Sequence, residues 1–471
     1  MDSSRAIHVE NLAYRYLQNE RGLDLPGLDV DTGQIVLLTG PSGCGKSTLA
    51  RCLTGLIPHL YRGTLSGRVL VQGLDTAHAP LWQLSEHVGM VFQNPAAQML
   101  AATVQDEIVF GLENLGLPPG EIAHRLEQAL QRFDLAHLRA RSPLTLSGGE
   151  QQRLALASIV ARRPPVLVLD EPLSMLDSTA TESLVSQLDE LARAGTTVLL
   201  CEHRTAPLRR IAGLRTVPLA GPKQTAANWK QAQADLAPRQ VEPFTLQASR
   251  LSVHLGRRTI LRDQNLVFFG SEVVAIVGRN GVGKTTLLRA LAGLQHHGGT
   301  VQVDGKPPDL AMVFQNPDLQ LFNATVRDEI LYKMADPDLD WYRRILHILG
   351  LERYEDTPPL LLSEGEKKRL ALAMALMRRP AHGILLDEPA LGQDAAHRAR
   401  LLRLARMLAR SGRLVIMTTH DLALAAEADR MLLQDESGFI ADGPPAEVLG
   451  NRAAWERAGL LVPGWVREQI A

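Results

Sequence analysis

The stretches GPSGCGKST at 40–48 and GRNGVGKTT at 278–286 decide the fold. Both fit the pattern G-x-x-x-x-G-K-[ST], and both follow short apolar runs rich in β-branched residues. In such a loop the glycines let backbone N–H groups close around phosphates, and the helix that follows adds positive potential at its N-terminus. The lysine reaches the terminal phosphates, and the hydroxyl after it holds Mg²⁺. Each stretch therefore predicts a nucleotide site.

The predicted phosphate ligands are Lys46 and Lys284, and the hydroxyls predicted to hold metal belong to Ser47 and Thr285. One glycine-rich turn can match such a pattern by chance, but two matches that each follow an apolar strand make chance a poor explanation. The complete set of predicted loop contacts is Gly40, Pro41, Ser42, Gly43, Cys44, Gly45, Lys46, Ser47 and Thr48 in the first copy, and Gly278, Arg279, Asn280, Gly281, Val282, Gly283, Lys284, Thr285 and Thr286 in the second.

The chain repeats itself, because further elements recur in the same order after each phosphate loop. The matching elements are Lys46 and Lys284, 238 residues apart; VFQNP at 91–95 and 313–317, 222 apart; LDEP at 169–172 and 386–389, 217 apart; and His203 and His420, also 217 apart. They indicate a duplicated domain whose second copy is 16 residues shorter before VFQNP, since 238 less 222 is 16. We expect a first domain at 1–218, a proline-containing connector at 219–243 and a second domain at 244–471.

Composition narrows the class of protein. The 471 residues carry 50 Lys+Arg against 51 Asp+Glu, and 45% are hydrophobic, which fits folded domains and argues against a broad nucleic-acid footprint. The three cysteines lack zinc-ligand spacing and fit a reducing compartment. No apolar run approaches the roughly 18–20 residues that span a bilayer, so a membrane-spanning partner would have to be another chain.

Near-continuous apolar strands recur in both halves. QIVLLTG at 34–40 and EVVAIVG at 272–278 run into the phosphate loops, and similar strands precede both LDEP segments and both histidines. Such strands suit a parallel sheet that helices cover on both faces. We predict an α/β fold with two nucleotide-binding domains, each a mostly parallel sheet flanked by helices.

An acidic pair ends one buried strand in each half, Asp170-Glu171 in the first and Asp387-Glu388 in the second. A carboxylate at a strand end can hold Mg²⁺ through water, while its neighbour polarises the attacking water. We therefore assign Asp170 and Asp387 to metal binding, and Glu171 and Glu388 to catalysis.

LSGGEQQR at 146–153 and LSEGEKKR at 362–369 each read Ser-x-x-Glu at the start of a helix, which predicts a capping box. Glycines at a helix start also leave a positively polarised backbone end that suits the γ-phosphate of an opposing subunit. The nucleotide contacts predicted here are Ser147, Gly148, Gly149, Ser363 and Gly365.

With these motifs in this order, the chain resembles a tandem pair of ATP-binding-cassette ATPase domains over nearly its whole length. In that family the phosphate loops are Walker A motifs, LDEP is Walker B, and LSGGE and LSEGE are signatures. The resemblance implies ATP and Mg²⁺ as cofactors, a helical subdomain in each half and a head-to-tail pseudo-dimer. It also implies Gln93 and Gln315 as Q-loop metal ligands, Asp177 and Asp394 as D-loop nucleotide contacts, His203 and His420 as catalytic switch histidines, and Tyr16 as the aromatic that stacks on adenine.

QNPAAQML at 93–100 and QNPDLQLF at 315–322 resemble the same segment in ATPases of energy-coupling-factor importers, including cobalt and nickel members. In that family the segment adjoins the groove that receives coupling helices of a transmembrane protein. The resemblance implies a peripheral motor on the cytoplasmic side of the cell membrane. Its partners would be a transmembrane coupling protein and a small membrane-embedded substrate-binding protein, and its cargo a vitamin, a vitamin precursor or a transition-metal ion. The alternative is that the apolar residues ending each segment, Met99, Leu100, Leu321 and Phe322, are ordinary core.

Departures from the family pattern predict unequal halves. Glu364 stands where the signature has its first glycine, which brings a carboxylate toward the phosphate position and should weaken that site. Leu255 matches the place of Tyr16, so base stacking in the second half should be weaker. The residues after His203 also lack the aspartate that follows His420.

Two other functions stay open at this point. A tandem sugar-importer ATPase also has unequal halves, but the QNP-x-x-Q pattern in both copies favours the energy-coupling-factor type. A tandem ATPase acting on ribosomes or in DNA repair typically carries a charged helical linker or zinc-binding cysteines, and neither feature is found in this sequence. We therefore favour the importer and expect no nucleic-acid partner.

Overall fold

The computed structural model describes residues 5–17, 22–41, 43–203, 205–220, 242–256, 258–390, 395–462 and 464. The chain forms two compact units, residues 1–223 and 224–471. This division falls inside the predicted connector, whose residues 221–241 lie outside the described ranges. The limits 1–218 and 244–471 therefore stay a prediction.

The first unit is built on two sheets. Its strands are β1 (Arg5–Tyr16), β2 (Gly22–Asp31), β3 (Ile35–Thr39), β4 (Gly63–Val71), β5 (Leu74–Asp75), β6 (Val88–Val91), β7 (Val166–Asp170), β8 (Thr197–Cys201) and β9 (Arg215–Pro218). One sheet has the order β6-β7-β8-β3-β9 with every neighbouring pair parallel. The other has the order β2-β1-β4-β5 and is antiparallel.

The parallel sheet is buried on both faces because its central strands are apolar except at their ends, where Thr39, Asp170 and Thr197 stand. The edge strand β9 is largely exposed. In β3, Val36 and Leu38 pack with the antiparallel sheet, whereas Ile35 and Leu37 pack with the helices of the opposite face. Successive side chains of a strand point to opposite faces, so one short run supplies two separate cores. The predicted parallel sheet flanked by helices is confirmed in this unit, and an antiparallel sheet that was not predicted packs on one face together with α1 (Lys46–Leu53).

Helices of the first unit are α1 (Lys46–Leu53), α2 (Leu56–His59), α3 (Leu81–His87), α4 (Val104–Glu113), α5 (Pro119–Arg132), α6 (Gly148–Ala161) and α7 (Ser178–Arg193). The helices α4, α5 and α6 pack against one another and form the helical subdomain that the family resemblance implied. The signature at 146–150 leads directly into α6, so the subdomain positions it.

The second unit repeats this plan. Its strands are β10 (Thr245–Leu255), β11 (Arg258–Phe269), β12 (Val273–Gly278), β13 (Gly298–Val303), β14 (Leu310–Val313), β15 (Gly383–Asp387), β16 (Leu414–Thr418), β17 (Arg430–Asp435) and β18 (Gly438–Gly443). The order β14-β15-β16-β12-β17 is parallel, and β18 adds an antiparallel edge. A smaller antiparallel sheet has the order β11-β10-β13.

Helices of the second unit are α8 (Lys284–Leu291), α9 (Val326–Ile330), α10 (Leu339–Leu349), α11 (Glu364–Met377), α12 (Ala395–Arg410), α13 (Leu422–Ala425), α14 (Pro445–Gly450) and α15 (Arg452–Arg457). The 16-residue shortening removes the counterpart of α3, because the described residues 304–309 join β13 to β14 without a helix. Among all the described residues, no helix is both long and apolar enough to cross a membrane.

Candidate nucleotide sites and docking segments

Each phosphate loop turns into its helix at a glycine whose backbone no other residue adopts easily. Gly45 has φ 99° and Gly283 has φ 108°, and each stands immediately before the first helical residue. A Cβ at Gly45 would lie 2.8 Å from Leu23 Cδ1, and one at Gly283 would lie 2.7 Å from Ile260 Cγ2. Both the left-handed φ and the close neighbour therefore require glycine at the start of the helix.

The two loop lysines are buried and fold back over their own loops. Lys46 Nζ donates to the carbonyl of Gly40 at 2.9 Å, and Lys284 Nζ donates to the carbonyls of Gly278 and Arg279 at 2.8 and 2.9 Å. Backbone carbonyls thus hold each ammonium at the centre of its loop. This is where the sequence predicts that phosphate oxygens bind.

The other predicted loop residues lie around these lysines. Cys44 is buried with its Sγ 3.8 Å from Lys46 Nζ, whereas Gly43 and Gly281 at the loop tips are exposed. Ser42 lies outside the described residues. The remaining described members of the predicted set are Pro41, Thr48, Asn280, Val282 and Thr286, all within or directly after the two loops.

The strand-end aspartates meet the loop hydroxyls in both units, as predicted for a shared metal site. Thr285 Oγ1 donates to Asp387 Oδ1 at 3.0 Å, and Ser47 hydrogen-bonds Asp170. Burial, followed by the nearby charge of Glu171, raises the pKa of Asp170 to about 6, while the Ser47 hydrogen bond acts in the opposite direction.

These residues fit a magnesium ion chemically. Asp170 Oδ1 is buried and has no hydrogen-bond partner among the described residues. Carboxylate and hydroxyl oxygens are the donors that Mg²⁺ prefers, and a bound Mg²⁺ neutralises charge on phosphate oxygens. Ser47 with Asp170, and Thr285 with Asp387, would hold the ion in the two units.

The two glutamates predicted to act in catalysis share an uncommon backbone conformation. Glu171 has φ 53° and Glu388 has φ 48°, which places both in the left-handed region directly after a strand. Their side chains reach the predicted histidines: Oε1 of Glu171 lies 3.4 Å from His203 Nε2, and Oε1 of Glu388 lies 3.3 Å from His420 Nε2. Strain of this kind persists where the surrounding structure imposes it, often at functional sites.

The Q-loop glutamine of the first unit joins the same cluster. Gln93 Nε2 donates to Glu171 Oε2 at 3.0 Å, so this carboxyl contacts both the glutamine and His203. In the second unit His420 Nε2 also lies 3.3 Å from Lys284 Nζ, and Gln315 is half-buried two residues beyond β14. The loop lysine, the acidic pair and the histidine of each unit thus lie where the parallel strands end, and their roles in binding and catalysis stay a prediction.

Two residues at these edges had not been predicted. Glu202 is buried, and its carboxylate accepts from the backbone N–H of His203 at 2.7 Å and of Leu173 at 3.1 Å. Thr418 Oγ1 donates to Asp387 Oδ1 at 2.7 Å and accepts from the N–H of Glu388 at 3.1 Å. In the sequence, only their positions next to the predicted histidines could have identified these residues. Glu202 directly precedes His203, and Thr418 stands two residues before His420.

Ser147 and Ser363 are the N-cap residues of the signature helices α6 and α11, as predicted. Glu150 Oε2 accepts from the N–H of Ser147 at 2.7 Å, and Glu366 Oε2 accepts from that of Ser363 at 2.8 Å. These capping boxes leave Gly148, Gly149 and Gly365 in the first turn of α6 or α11. Asp177 caps α7 by accepting from the N–H of Ala180 at 2.9 Å, and Asp394 lies outside the described residues.

Tyr16 lies beside its phosphate loop in a half-buried position. Its hydroxyl is 3.2 Å from Thr48 Oγ1 and accepts from Arg51 at 3.0 Å, while its ring packs edge-on against Tyr14. Leu255, the matching residue of the second unit, is exposed. Adenine stacking on Tyr16 stays a prediction.

The segments 93–100 and 315–322, called the docking segments below, are fastened by their own glutamines. Gln98 Oε1 accepts from the N–H of Phe92 at 2.8 Å, and its Nε2 donates to the carbonyl of Met90 at 3.0 Å. Gln320 makes the same pair of bonds, to Phe314 at 3.0 Å and Met312 at 3.1 Å. The second glutamine of QNP-x-x-Q therefore closes a loop against its own strand.

A buried glutamate fastens the far end of each docking segment. Glu107 Oε2 accepts from the N–H groups of Leu100 and Ala101, both at 2.8 Å. Glu329 Oε2 accepts from those of Phe322 and Asn323, at 2.9 and 2.7 Å. In each copy, two charge-assisted hydrogen bonds to consecutive N–H groups fix the backbone at the end of the segment, at Leu100 or Phe322.

The apolar residues that end the segments divide between core and surface. Leu100 is 75% exposed and Phe322 is 65% exposed, whereas Leu321 is buried and Met99 is half-buried. The interpretation of all four residues as ordinary core is therefore wrong for Leu100 and Phe322. Glu107 in one copy and Glu329 in the other, called the glutamate clamp below, hold Leu100 and Phe322 outward. In each copy the glutamate accepts from the backbone N–H of the exposed residue.

Comparison with known proteins agrees with this architecture. A family model described as ABC transporter matches residues 23–174 and 261–391. A protein of Streptomyces coelicolor, provisionally named an ABC transporter ATP-binding protein, is 36% identical over 89% of this chain and 90% of its own length. YkoD of Bacillus subtilis, provisionally named an HMP/thiamine import ATP-binding protein, is 32% identical over 97% of this chain and 95% of its own length.

Among solved structures, the RNase-L inhibitor has a TM-score of 0.64 and 21% sequence identity, with 98% of both chains covered, a likeness that shows the fold. Two α/β units with phosphate loops, strand-end acids and capped signature helices define a tandem P-loop ATPase. The chain belongs to the ABC transporter family and is an ATP-hydrolysing enzyme. The ATPase domains of this family bind ATP, generally with Mg²⁺.

Buried Glu388 predicts a pH-dependent stability. Burial raises its pKa to about 7 from an ordinary 4.5, so the carboxyl keeps its proton in the folded chain over a range where the unfolded chain has lost it. This contribution to the free energy of unfolding, about 3 kcal/mol, is fully present below pH 4.5 and is lost as the pH rises through about 7. Glu388→Gln mimics the protonated form and should therefore raise the melting temperature at pH 8 by several degrees.

The measurement is thermal unfolding of the nucleotide-free chain at pH 5 and pH 8. Near pH 5 the variant and the wild type should unfold at similar temperatures, because little of this stability has been lost there. Glu86→Gln, at an exposed position, controls for the loss of one carboxylate. A Glu388→Gln effect of equal size at both pH values would contradict the prediction.

The glutamate clamp predicts a local opening. Glu107→Ala removes the acceptor for two backbone N–H groups and should destabilise that end of its docking segment by about 1–3 kcal/mol. Hydrogen–deuterium exchange in a peptide covering Leu100 and Ala101 should accelerate accordingly. The second copy is the internal control, because exchange at Phe322 and Asn323 should not change. Equal acceleration in both copies would indicate general unfolding and would count against the clamp.

Proposed function

We propose that the chain is the ATP-hydrolysing motor of a membrane importer of the energy-coupling-factor type. ATP binding and hydrolysis at two sites would drive movements that the docking segments pass to a transmembrane coupling protein. A small membrane-embedded protein would bind the cargo. The chain would then be peripheral, on the cytoplasmic side of the cell membrane.

The observation that carries this proposal is the construction of the docking segments. Single exposed apolar residues are common on protein surfaces, but here an exposed leucine or phenylalanine recurs at the same place in both copies, on a segment that is fastened at both ends. This recurrence supports a contact with a partner. Phe110, half exposed, matches Tyr332 in the second copy, whose ring packs edge-on against Phe322. The second copy thus joins two aromatic rings at positions that carry the exposed Leu100 and Phe110 in the first copy.

The first docking segment is also linked directly to a predicted nucleotide site, because its first residue hydrogen-bonds a residue of that site. Each segment begins at a Q-loop glutamine, and Gln93 contacts the predicted catalytic Glu171. In the first unit the path from the exposed Leu100 to that carboxyl runs within the single segment 93–100. A partner that moves the segment would therefore move a side chain of the nucleotide site, and the reverse holds by linkage.

In the proposed mechanism, Lys46 and Lys284 bind the terminal phosphates, and the hydroxyl–aspartate pairs hold Mg²⁺. Glu171 and Glu388 would orient and polarise the attacking water, with His203 and His420 positioned by those glutamates. Asp177, Asp394 and the signature residues Ser147, Gly148, Gly149, Ser363 and Gly365 would complete the ATP contacts, and Tyr16 would stack on adenine.

The kind of molecule transported is inferred from similar proteins and not from residues of this chain. The name of YkoD refers to import of HMP and thiamine, which agrees with a vitamin or vitamin precursor as the transported molecule. Transition-metal ions belong to the same proposal through the resemblance of the docking segments to cobalt and nickel importers. Selectivity would lie in the membrane-embedded binding partner.

The test is a gentle detergent pull-down from the native host with a tagged Glu171→Gln/Glu388→Gln chain, which should hydrolyse ATP slowly and so prolong complexes. We expect a multi-helix membrane protein together with a small membrane-embedded protein, both identified by mass spectrometry. Adding Leu100→Ser and Phe322→Ser should reduce their recovery about tenfold, because the partner would lose two apolar anchors.

Leu294→Ser is the matched control, since Leu294 is 58% exposed but lies outside the docking segments. It should leave the recovery of membrane partners unchanged. Recovery of ribosomal proteins or nucleic acid without membrane proteins would overturn the importer proposal and favour the alternative of a tandem ATPase acting on ribosomes. An equal loss with Leu294→Ser would show that the docking segments are not the contact.

A further inference from the structure

The second copy carries three charged residues at positions that are uncharged in the first. Asp318, Glu364 and Lys367 match Ala96, Gly148 and Gln151, at the same offsets that align the two docking segments and the two signatures. Asp318 lies in the second docking segment, and the other two lie in the first turn of α11. The departure of Glu364 from the signature is therefore accompanied by other new charges, and Lys368 in place of Gln152 is a fourth in the same stretch.

These three side chains meet in the folded unit. Lys367 Nζ lies 2.7 Å from Asp318 Oδ1, with which it hydrogen-bonds, and 4.0 Å from Glu364 Oε1. The lysine side chain is only 10% exposed, whereas those of Asp318 and Glu364 are 36% and 38% exposed. One largely buried cation thus stands between two more exposed carboxylates, and its shorter contact is with Asp318. The attraction to Glu364 is weaker at the longer distance.

In the first copy, the positions that match Asp318 and Lys367 carry the uncharged residues Ala96 and Gln151. Gln151 Nε2 donates to the carbonyl of Pro143 at 3.1 Å, within the approach to its own signature. Ala96 has no polar side chain to offer, so this pair of positions makes no ion pair between docking segment and signature helix. The ionic link is a property of the second unit among the described residues.

We propose that Lys367 is a positioning residue for which Asp318 and Glu364 compete, so that the second docking segment sets the charge felt at the second signature. The proposal rests on the proposed function in taking the segment as a partner contact and the signature as a phosphate contact. When Asp318 holds the lysine, the carboxylate of Glu364 is poorly neutralised and repels phosphate. When the lysine is released toward Glu364, that repulsion falls.

This arrangement predicts that removing the charge of Asp318 and removing the charge of Lys367 change the KM for ATP in opposite directions. Asp318→Asn frees Lys367 to neutralise Glu364, and the KM for ATP should fall about twofold. Lys367→Gln removes the cation and leaves Glu364 unopposed, and the KM should rise about fivefold. A purely structural ion pair would give both variants the same loss of stability and no such opposition.

The experiment measures steady-state ATPase and equilibrium binding of a fluorescent ATP analogue with the purified full chain and the two single variants. Each variant is then remade in a Glu364→Gly background. There the KM shifts of Asp318→Asn and Lys367→Gln should both shrink to within about 1.5-fold, because the carboxylate through which they act is gone. Gln151→Ala is the matched control at the same helix position of the first copy and should leave the KM unchanged.

Opposite KM shifts that vanish in the Glu364→Gly background would support the proposal. Shifts of the same sign, no shift, or shifts that persist without Glu364 would overturn it, and a lowered melting temperature with unchanged KM would assign the ion pair a structural role only. None of these readouts depends on a membrane partner. If the pull-down recovers no membrane partner but the opposite KM shifts are observed, the importer proposal is rejected. The proposed competition for Lys367 would then still stand.

Discussion

Parallel pairing of the central strands is the constraint on which both nucleotide sites depend. In the first unit β7, β8 and β3 run in one direction, so Asp170, the segment after Cys201 and the phosphate loop all emerge at one edge. The pairing is stable because the strands are apolar on both faces. Its cost is that acidic groups at this edge are buried, and burial is the leading cause of the raised pKa values of Asp170 and Glu388. The same geometry therefore assembles the site and sets its electrostatics.

Much of this was predictable from local sequence. A glycine-rich loop between an apolar strand and a helix carries its own geometric requirement, as the φ of Gly45 shows, and a Ser-x-x-Glu cap is satisfied within four residues. The contributions of Glu202 and Glu107 were not predictable. Both are buried acids whose partners are backbone N–H groups, and any sequence supplies such groups. Only the fold reveals which of them a given carboxylate reaches.

The two copies share the central parallel strands and the phosphate loop, and they differ in the polar groups placed on this framework. Where the first unit has Cys201 and Glu202 before its histidine, the second has Thr418 and Thr419, so different atoms support the metal-site aspartate and the histidine. The second unit also begins a helix at Leu422 directly after Asp421, which accepts from Ala423 and pairs with Arg398 at 2.5 Å. Within the described residues, the two halves thus differ in side chains, in loop endings and in elements such as α3 and β18, whereas the central parallel strands and the phosphate loops are retained. That the two sites differ in strength stays a prediction.

The double fastening of the docking segments has a consequence for how such a chain can evolve. Gln98 and Glu107 in one copy, and Gln320 and Glu329 in the other, secure the backbone from within. Although Met99 and Leu321 still pack against the core, the exposed residues of each segment are therefore free to vary. They have in fact diverged, from Ala-Ala to Asp-Leu and from Leu to Phe. Gene duplication therefore produced two docking segments that can be selected independently, and on the proposed function each would contact a partner. A single polypeptide could follow an asymmetric partner through successive changes while its catalytic framework stayed fixed.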